Sequence, residues 1–414
     1  MSSFFPKTAL LSVAAGTLLL AACQKQAVVP EPSNEPKLRP LTGAENKTVA
    51  SSNEFAFRSF GALRTGTPAA NLCMSPLSVS AALTMAYNGA DGTTKAAMKQ
   101  TLGFSPQTDA EINESFQGLF GLLTGIDSKV TFAAANSIWH GQQFQLAPAF
   151  TQKNQTYFGA TVQGVNFTQP SAKDAINGWV SAKTQGKIPS IVDETKADDV
   201  MYLVNAIYFK GAWTYRFDPA LTRPEPFTRE NGSTANVNFM TLEPGAKYLR
   251  YQDAQQEIID LPYGNRQFSM TLVVPRGSST LASVGSRLTN SQLATWLQAA
   301  DTTTLALHLP KFKLEYEKEM VDILTQLGMG VAFGGQANFS QMLANSASNL
   351  AISSVKHKTY IDVNEEGTEA AAVTSVGVVT TSLPPSVRVD RPFYFLIREK
   401  SSNAILFIGQ LTNP

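Results

Sequence analysis

The chain has 414 residues, 43 % of them hydrophobic, and sets 33 Lys and Arg against 32 Asp and Glu for a formal charge of +1. That length buries a core without staples, and the even charge excludes the bulk basicity of a nucleic-acid binder and the acidity of a solvating tail. Two cysteines exclude a disulfide framework, and three histidines (His140, His308 and His357) stand in no HExxH arrangement, so no metal and no other cofactor is expected.

Residues 1–22 read as a targeting segment. Lys7 precedes an apolar stretch from Ala9 to Leu20 that is too short and too rich in small residues for an ordinary membrane helix. It ends Leu20-Ala21-Ala22-Cys23, which resembles a bacterial lipoprotein signal. The resemblance implies cleavage before Cys23, acylation of that cysteine, and a lipid bilayer as partner, since two acyl chains anchor where one does not. Gln24, where Asp would mark inner-membrane retention, resembles the outer-membrane sorting pattern. The expected address is therefore the bacterial cell envelope, lipid-anchored in the outer membrane and facing the periplasm or the surface. A plain secretory peptide with an incidental cysteine is the alternative. Residues 23–50, with Pro30, Pro32, Pro36 and Pro40, read as an extended tether. Cys73 is left without a partner and is expected as a buried thiol.

No second linker follows, so residues 51–414 read as one domain. Ser75-Pro76 has the form of an N-cap followed by proline at the first helical position, and Leu77, Val79, Leu83, Met85, Ala86 and Tyr87 continue as a buried helix. Thr93 is expected to cap a short helix that closes near Gly103, and Ser171 to open another, with Asp174 as capping-box partner, that stops at Gly186. A further helix is expected over residues 317–327, stopped by Gly328. Strand patterns cover 201–209, 268–274, 304–309, 393–398 and 405–408. Helices gather early and strands late, which predicts an α+β fold.

Several segments then resemble one family. Asn71 to Ser80 reads NLCMSPLSVS, Asn205 to Trp213 reads NAIYFKGAW, Asp260 to Tyr263 reads DLPY, and Leu309 to Phe312 reads LPKF. Asn364 to Ala372 reads NEEGTEAAA, and Arg391 to Phe395 and Leu406 to Gly409 supply the carboxy-terminal PF and LFxG segments. In this order and spacing they resemble the serpins, the serine protease inhibitors. The resemblance implies helices packed around three β-sheets and an exposed reactive-centre loop, here about 365–387, that can enter the central sheet as a strand.

The loop sequence is unusual on its own terms. Residues 367–387 are apolar and β-prone, too long for an ordinary strand and too rich in valine for an exposed loop. Thr368, Ala370, Ala372, Thr374, Val376, Val378 and Thr380 share one face of an extended chain, and every one is small or β-branched. Glu369, the only charge, falls on the other face. The resemblance implies a hinge at Glu365, Gly367, Thr368, Glu369, Ala370, Ala371 and Ala372, and a scissile bond at Thr381-Ser382, with Val379-Thr380 and Thr380-Thr381 left open. No Lys or Arg lies between Gly367 and Val387, which excludes a trypsin-like target and favours an elastase-like or subtilisin-like serine protease.

The same resemblance implies that Ser75, Ser78, Asn205 and His357 form the gate of the central sheet, that Trp213 marks the point where insertion begins, and that Glu365 pairs with Lys311. No GxSxG elbow accompanies the three histidines, so the protein is expected to be a suicide inhibitor and not an enzyme. A monomer is expected before complex formation. A non-inhibitory serpin that acts as a binding or chaperone-like protein, and a cysteine protease as main target, stay open as alternatives.

Overall fold

Thr42 opens the first helix, α1 (Gly43–Gly66). Its hydroxyl accepts the Glu45 N–H at 3.1 Å, and the Glu45 carboxylate accepts the Thr42 N–H at 2.8 Å, so two orphan donors are satisfied reciprocally. The helix thus starts inside the stretch read as a tether, because Thr42-x-x-Glu45 is a helix-start signal that the neighbouring prolines obscure. The computed structural model describes residues 1–2, 35–345, 350–368 and 385–414. The chain divides into two units, Met1–Ser33 and Asn34–Pro414, and every described helix and strand lies in the second.

Five more helices fill the first half: α2 (Pro76–Tyr87), α3 (Gly92–Thr101), α4 (Asp109–Gly125), α5 (Pro148–Phe158) and α6 (Pro170–Lys183). Asp91, not Thr93, caps α3, since its carboxylate accepts the Gly92 N–H. Proline at the first turn starts α6 one residue before Ser171, and no side chain caps it. The helix expected over 317–327 starts four residues late and then runs through Leu327, its last part a π-helical turn, Thr325–Met329. A strand runs through Glu319, and a single α-turn, Val321–Leu324, follows.

The main sheet has six strands, labelled in chain order β1 (Val130–Gly141), β2 (Thr161–Val165), β3 (Met201–Ala212), β4 (Phe312–Glu319), β5 (Lys356–Asn364) and β6 (Gly367–Thr368). Their spatial order is β4-β5-β6-β3-β1-β2. All neighbours are antiparallel except β1 and β2. A second, seven-stranded antiparallel sheet holds Leu72–Met74, Ile405–Leu411, Phe393–Glu399, Phe268–Pro275, Gln256–Tyr263, Tyr248–Gln252 and Asp301–Thr303, in that order. Its central strands are buried along their whole length. Helix α2 packs between β3 of the first sheet and Ile405–Leu411 of the second, which brings its first turn to the main sheet. A third sheet orders Ser386–Arg388, Ala306–Pro310, Thr234–Leu242 and Arg223–Thr228. The fold is therefore α+β, helices around three sheets. Cys73 is a buried free thiol, pushed up to about 12 by burial.

Candidate functional site

The site grows from the hairpin between β5 and β6. Along β5, His357, Thr359, Ile361 and Val363 alternate inward, as period 2 requires. The chain turns at Glu365-Glu366 and re-enters the sheet as β6, where Thr368 pairs with Val363 on one side and Gly211 on the other. Gly367 approaches β3 so closely that a Cβ there would lie 2.0 Å from the Gly211 carbonyl oxygen. No other residue fits. Thr368 is buried, and its hydroxyl lies 2.7 Å from the Tyr263 hydroxyl.

Trp213 organises this corner. Its ring stacks on Tyr263 at 4.3 Å and 10°, its backbone N–H donates to the Glu366 carbonyl at 2.8 Å, and its indole N–H donates to the Asn364 carbonyl at 2.9 Å. Glu365 receives Lys311 Nζ at 2.8 Å and the Thr222 hydroxyl at 2.7 Å. Burial pulls its carboxyl up, but these two bonds, a backbone N–H and the Lys311 charge together hold it below the usual carboxylate range. Tyr263, Thr222 and Gly211 were missed in the sequence. DLPY contains the tyrosine, but nothing local shows that it faces a residue 105 positions away.

Among the described residues β3 and β5 share no ladder, and only the two residues of β6 join them. The four residues expected as a gate divide between the two strands. On the β5 side, His357 Nε2 accepts the Ser75 N–H at 3.0 Å. On the β3 side, the Ser78 hydroxyl donates to Asn205, whose amide donates to Asn136 Oδ1 at 2.6 Å. Among the described residues no hydrogen bond joins Asn205 to His357, and the Ser75 hydroxyl is buried without a partner. Burial pushes the His357 imidazole down to about 4, so it is neutral at pH 7.

The far end of the loop is held elsewhere. Ser386–Arg388 runs parallel to Ala306–His308 in the third sheet, Val387 is buried, and Arg388 pairs with Glu225, which also takes Arg223 at 2.8 Å. Residues 369–384 therefore link the main sheet to the third sheet. Glu369, Ala370, Ala371, Ala372 and the Thr381-Ser382 bond lie outside the described residues, as does Cys23.

The described histidines build no acyl-transfer relay. His357 accepts a backbone N–H, His140 contacts its neighbour's carbonyl, and His308 turns one nitrogen toward both Thr241 and Glu225.

A family profile described as Serpin (serine protease inhibitor) matches residues 50–414. The leukocyte elastase inhibitor of Bos taurus is 33 % identical over 377 residues, covering 88 % of this chain and 99 % of that protein. Iripin-2 of Ixodes ricinus is 34 % identical over 375 residues, covering 89 % and 94 %. Among solved structures, thyroxine-binding globulin in complex with thyroxine superposes with a TM-score of 0.81 at 28 % identity, covering 89 % of this chain and 99 % of that one.

The reading of the chain as a bacterial, lipid-anchored envelope protein is corrected by these comparisons. The bovine and tick relatives, matched over nearly their whole length, are not bacterial lipoproteins. Four residues ending at Cys23 are too short a pattern to stand against a likeness over most of the chain. Among the described residues no helix is long and apolar enough to cross a membrane. Acylation of Cys23, a bilayer partner and an outer-membrane address are withdrawn.

Proposed function

The chain belongs to the serpin family of protease inhibitors, and from that premise we propose that it works as a conformational trap for an elastase-like or subtilisin-like serine protease. It is an inhibitor and not an enzyme; the nucleophile comes from the protease. One observation carries the reading. Gly367 and Thr368 pair with both β5 and β3, and among the described residues those two strands share no ladder beyond that point.

In the proposed sequence the protease's nucleophile attacks the Thr381 carbonyl carbon. An ester to Thr381 forms, and the bond to Ser382 breaks with the proton passing to the departing amine. The freed segment, residues 367–381, spans about 50 Å when extended. It runs down the lane between β3 and β5 and carries the acylated protease with it. If the register of β6 continues, Thr374 arrives opposite both Asn205 and His357. Its hydroxyl would then lie beside the gate residues of both strands, near the unpartnered Ser75 hydroxyl. The roles of Ser75, Ser78, Asn205 and His357 as a gate, of Trp213 as the insertion point, and of the Lys311–Glu365 pair as a hinge tether are parts of this proposal.

Specificity follows from the bait. Thr381 and the Val378-Val379-Thr380 run before it suit a shallow apolar S1 pocket, and no cation is offered to a trypsin-like one. The name of the bovine relative, a leukocyte elastase inhibitor, supports the same class.

The test mixes residues 35–414 with elastase-like, subtilisin-like and trypsin-like proteases. Complexes are read on denaturing gels and the released peptide by mass spectrometry. A heat-stable covalent complex with the first or second, and a peptide beginning at Ser382, is expected. Cleavage at Ser382 with full protease activity retained would overturn the trap.

A further inference from the structure

The trap needs a fixed register. A strand that slips by one residue turns every side chain to the opposite face, and a strand of small, similar residues specifies its register weakly. Residues 370–373 read Ala-Ala-Ala-Val, so the loop's own pattern discriminates poorly among neighbouring registers. Something at the entrance has to set it.

We propose that Tyr263 is a positioning residue that sets the register of insertion, its hydroxyl seating Thr368 as the first side chain in the lane. The inference rests on the trap reading and specifies its first step. The two hydroxyls are 2.7 Å apart, and both residues are buried. The Tyr263 ring is fixed before the loop arrives. Trp213 stacks on one face, and Phe209 meets it edge-on at 5.3 Å and 72°. Its backbone is also tied to the end of β3, through a bridge with Trp213 and the Thr214 N–H to the Pro262 carbonyl at 2.9 Å. Opposite Thr368 stands Gly211, where a Cβ would sit 3.0 Å from the Tyr263 ring and 2.9 Å from that of Phe209. The sheet therefore leaves room for one small hydroxyl-bearing side chain at this point. A slip of two residues keeps the face but presents Ala370 or Glu366 to Tyr263. The first leaves the phenol unpaired, and the second brings a carboxylate into a site packed with aromatic rings.

The readout is the stoichiometry of inhibition, the number of inhibitor molecules consumed per protease trapped. It reports how often the cut loop seats correctly before the acyl-enzyme is hydrolysed. Tyr263→Phe keeps the ring and its stacking but loses the hydroxyl; Thr368→Val keeps the shape of threonine but loses its hydroxyl. Each is expected to raise the stoichiometry about fivefold, the effect of one hydrogen bond. The double variant should be no worse than either single one, because both remove the same contact. Thr368→Ser should restore wild-type behaviour. Melting temperatures measured on all four separate a folding defect from a seating defect. If Tyr263→Phe raises the stoichiometry and Thr368→Val does not, the ring acts by packing alone and the proposal is overturned. If neither changes it while the wild type traps normally, this inference alone falls. If the wild type is merely cleaved, the trap reading falls and this inference with it.

Discussion

His357 is neutral because it is buried, and that makes its surroundings sensitive to acid. Its ring is pushed down to about 4 from an ordinary 6.5 by desolvation. His308 is also pushed down by desolvation, against a smaller opposing pull from Glu225. Below 6.5 the unfolded chain takes up protons that these native rings refuse, so their contribution is complete above that value and is lost as pH falls. For His357 the window between 6.5 and about 4 corresponds to roughly 3 kcal/mol. Denaturant midpoints should therefore fall between pH 6.5 and 5, above the range where carboxylates titrate. His357→Gln should flatten most of that slope and His308→Gln part of it. An unchanged slope in His357→Gln would show that burial of this ring does not govern the acid response. Gly367 constrains the hinge by another route. Because a Cβ there would meet the Gly211 carbonyl, Gly367→Ala should keep Thr368 out of the sheet and turn inhibitor into substrate, read as cleaved loop without covalent complex. Persistence of the complex at wild-type yield would mean that the hinge enters by a different path.

At the scale of a strand, alternation makes the sharpest test. If the register of β6 continues in the proposed insertion, Ala370 would arrive between Phe209 and Ile361, both buried, and Glu369 would face outward. Ala370→Glu would put a carboxylate between those apolar side chains and should abolish trapping, with the loop still cut at its normal rate. Glu369→Ala, one residue away, should change little. Equal effects at the two positions would refute insertion in this register. The same periodicity explains what the sequence made legible. Strands 201–209, 268–274, 393–398 and 405–408 lie within observed strands because their patterns were long and clean. The helix expected over 317–327 was begun four residues too early for the opposite reason. Phe312, Leu314 and Tyr316 continue a period-2 strand, but Glu317, Lys318 and Glu319 are strong helix formers on an exposed edge, and tertiary pairing with Lys356–Lys358 overrides propensity. Trp213, Lys311 and Glu365 were legible through motifs. Tyr263 and the Glu225–Arg388 clamp were not, since each acts on a partner more than a hundred residues away.

For the whole molecule, the segments on either side of residues 369–384 are held in different sheets, and under the proposed trap this sets when the lane between β3 and β5 is filled. Thr368 is held in the main sheet, whereas Val387 and Arg388 are held in the third sheet by burial, pairing and Glu225. While the chain is continuous, each residue that enters the lane would draw against the hold of the third sheet. In the proposed trap a cut at Thr381-Ser382 would remove the opposition without disturbing either sheet. The freed strand would then gain hydrogen bonds on both edges and bury Ala370, Ala372, Thr374, Val376 and Val378. Each bond adds about 1 kcal/mol net, while ordering costs 1–2 kcal/mol per residue in order of magnitude. Two edges and a buried face should therefore outweigh the ordering of one strand. A nick in an ordinary exposed loop leaves a fold unchanged or weaker, because it adds freedom to the unfolded chain. Here limited proteolysis between residues 377 and 384 should raise Tm by about 10 °C or more, the shift produced by several kcal/mol in a large domain. Calorimetry on intact and nicked protein measures it. Nicked Ala370→Glu supplies the control: its loop is cut but cannot seat, so its Tm should stay where the intact protein's lies. A nicked wild type that melts no higher than the intact one would mean that the lane between β3 and β5 does not take the loop.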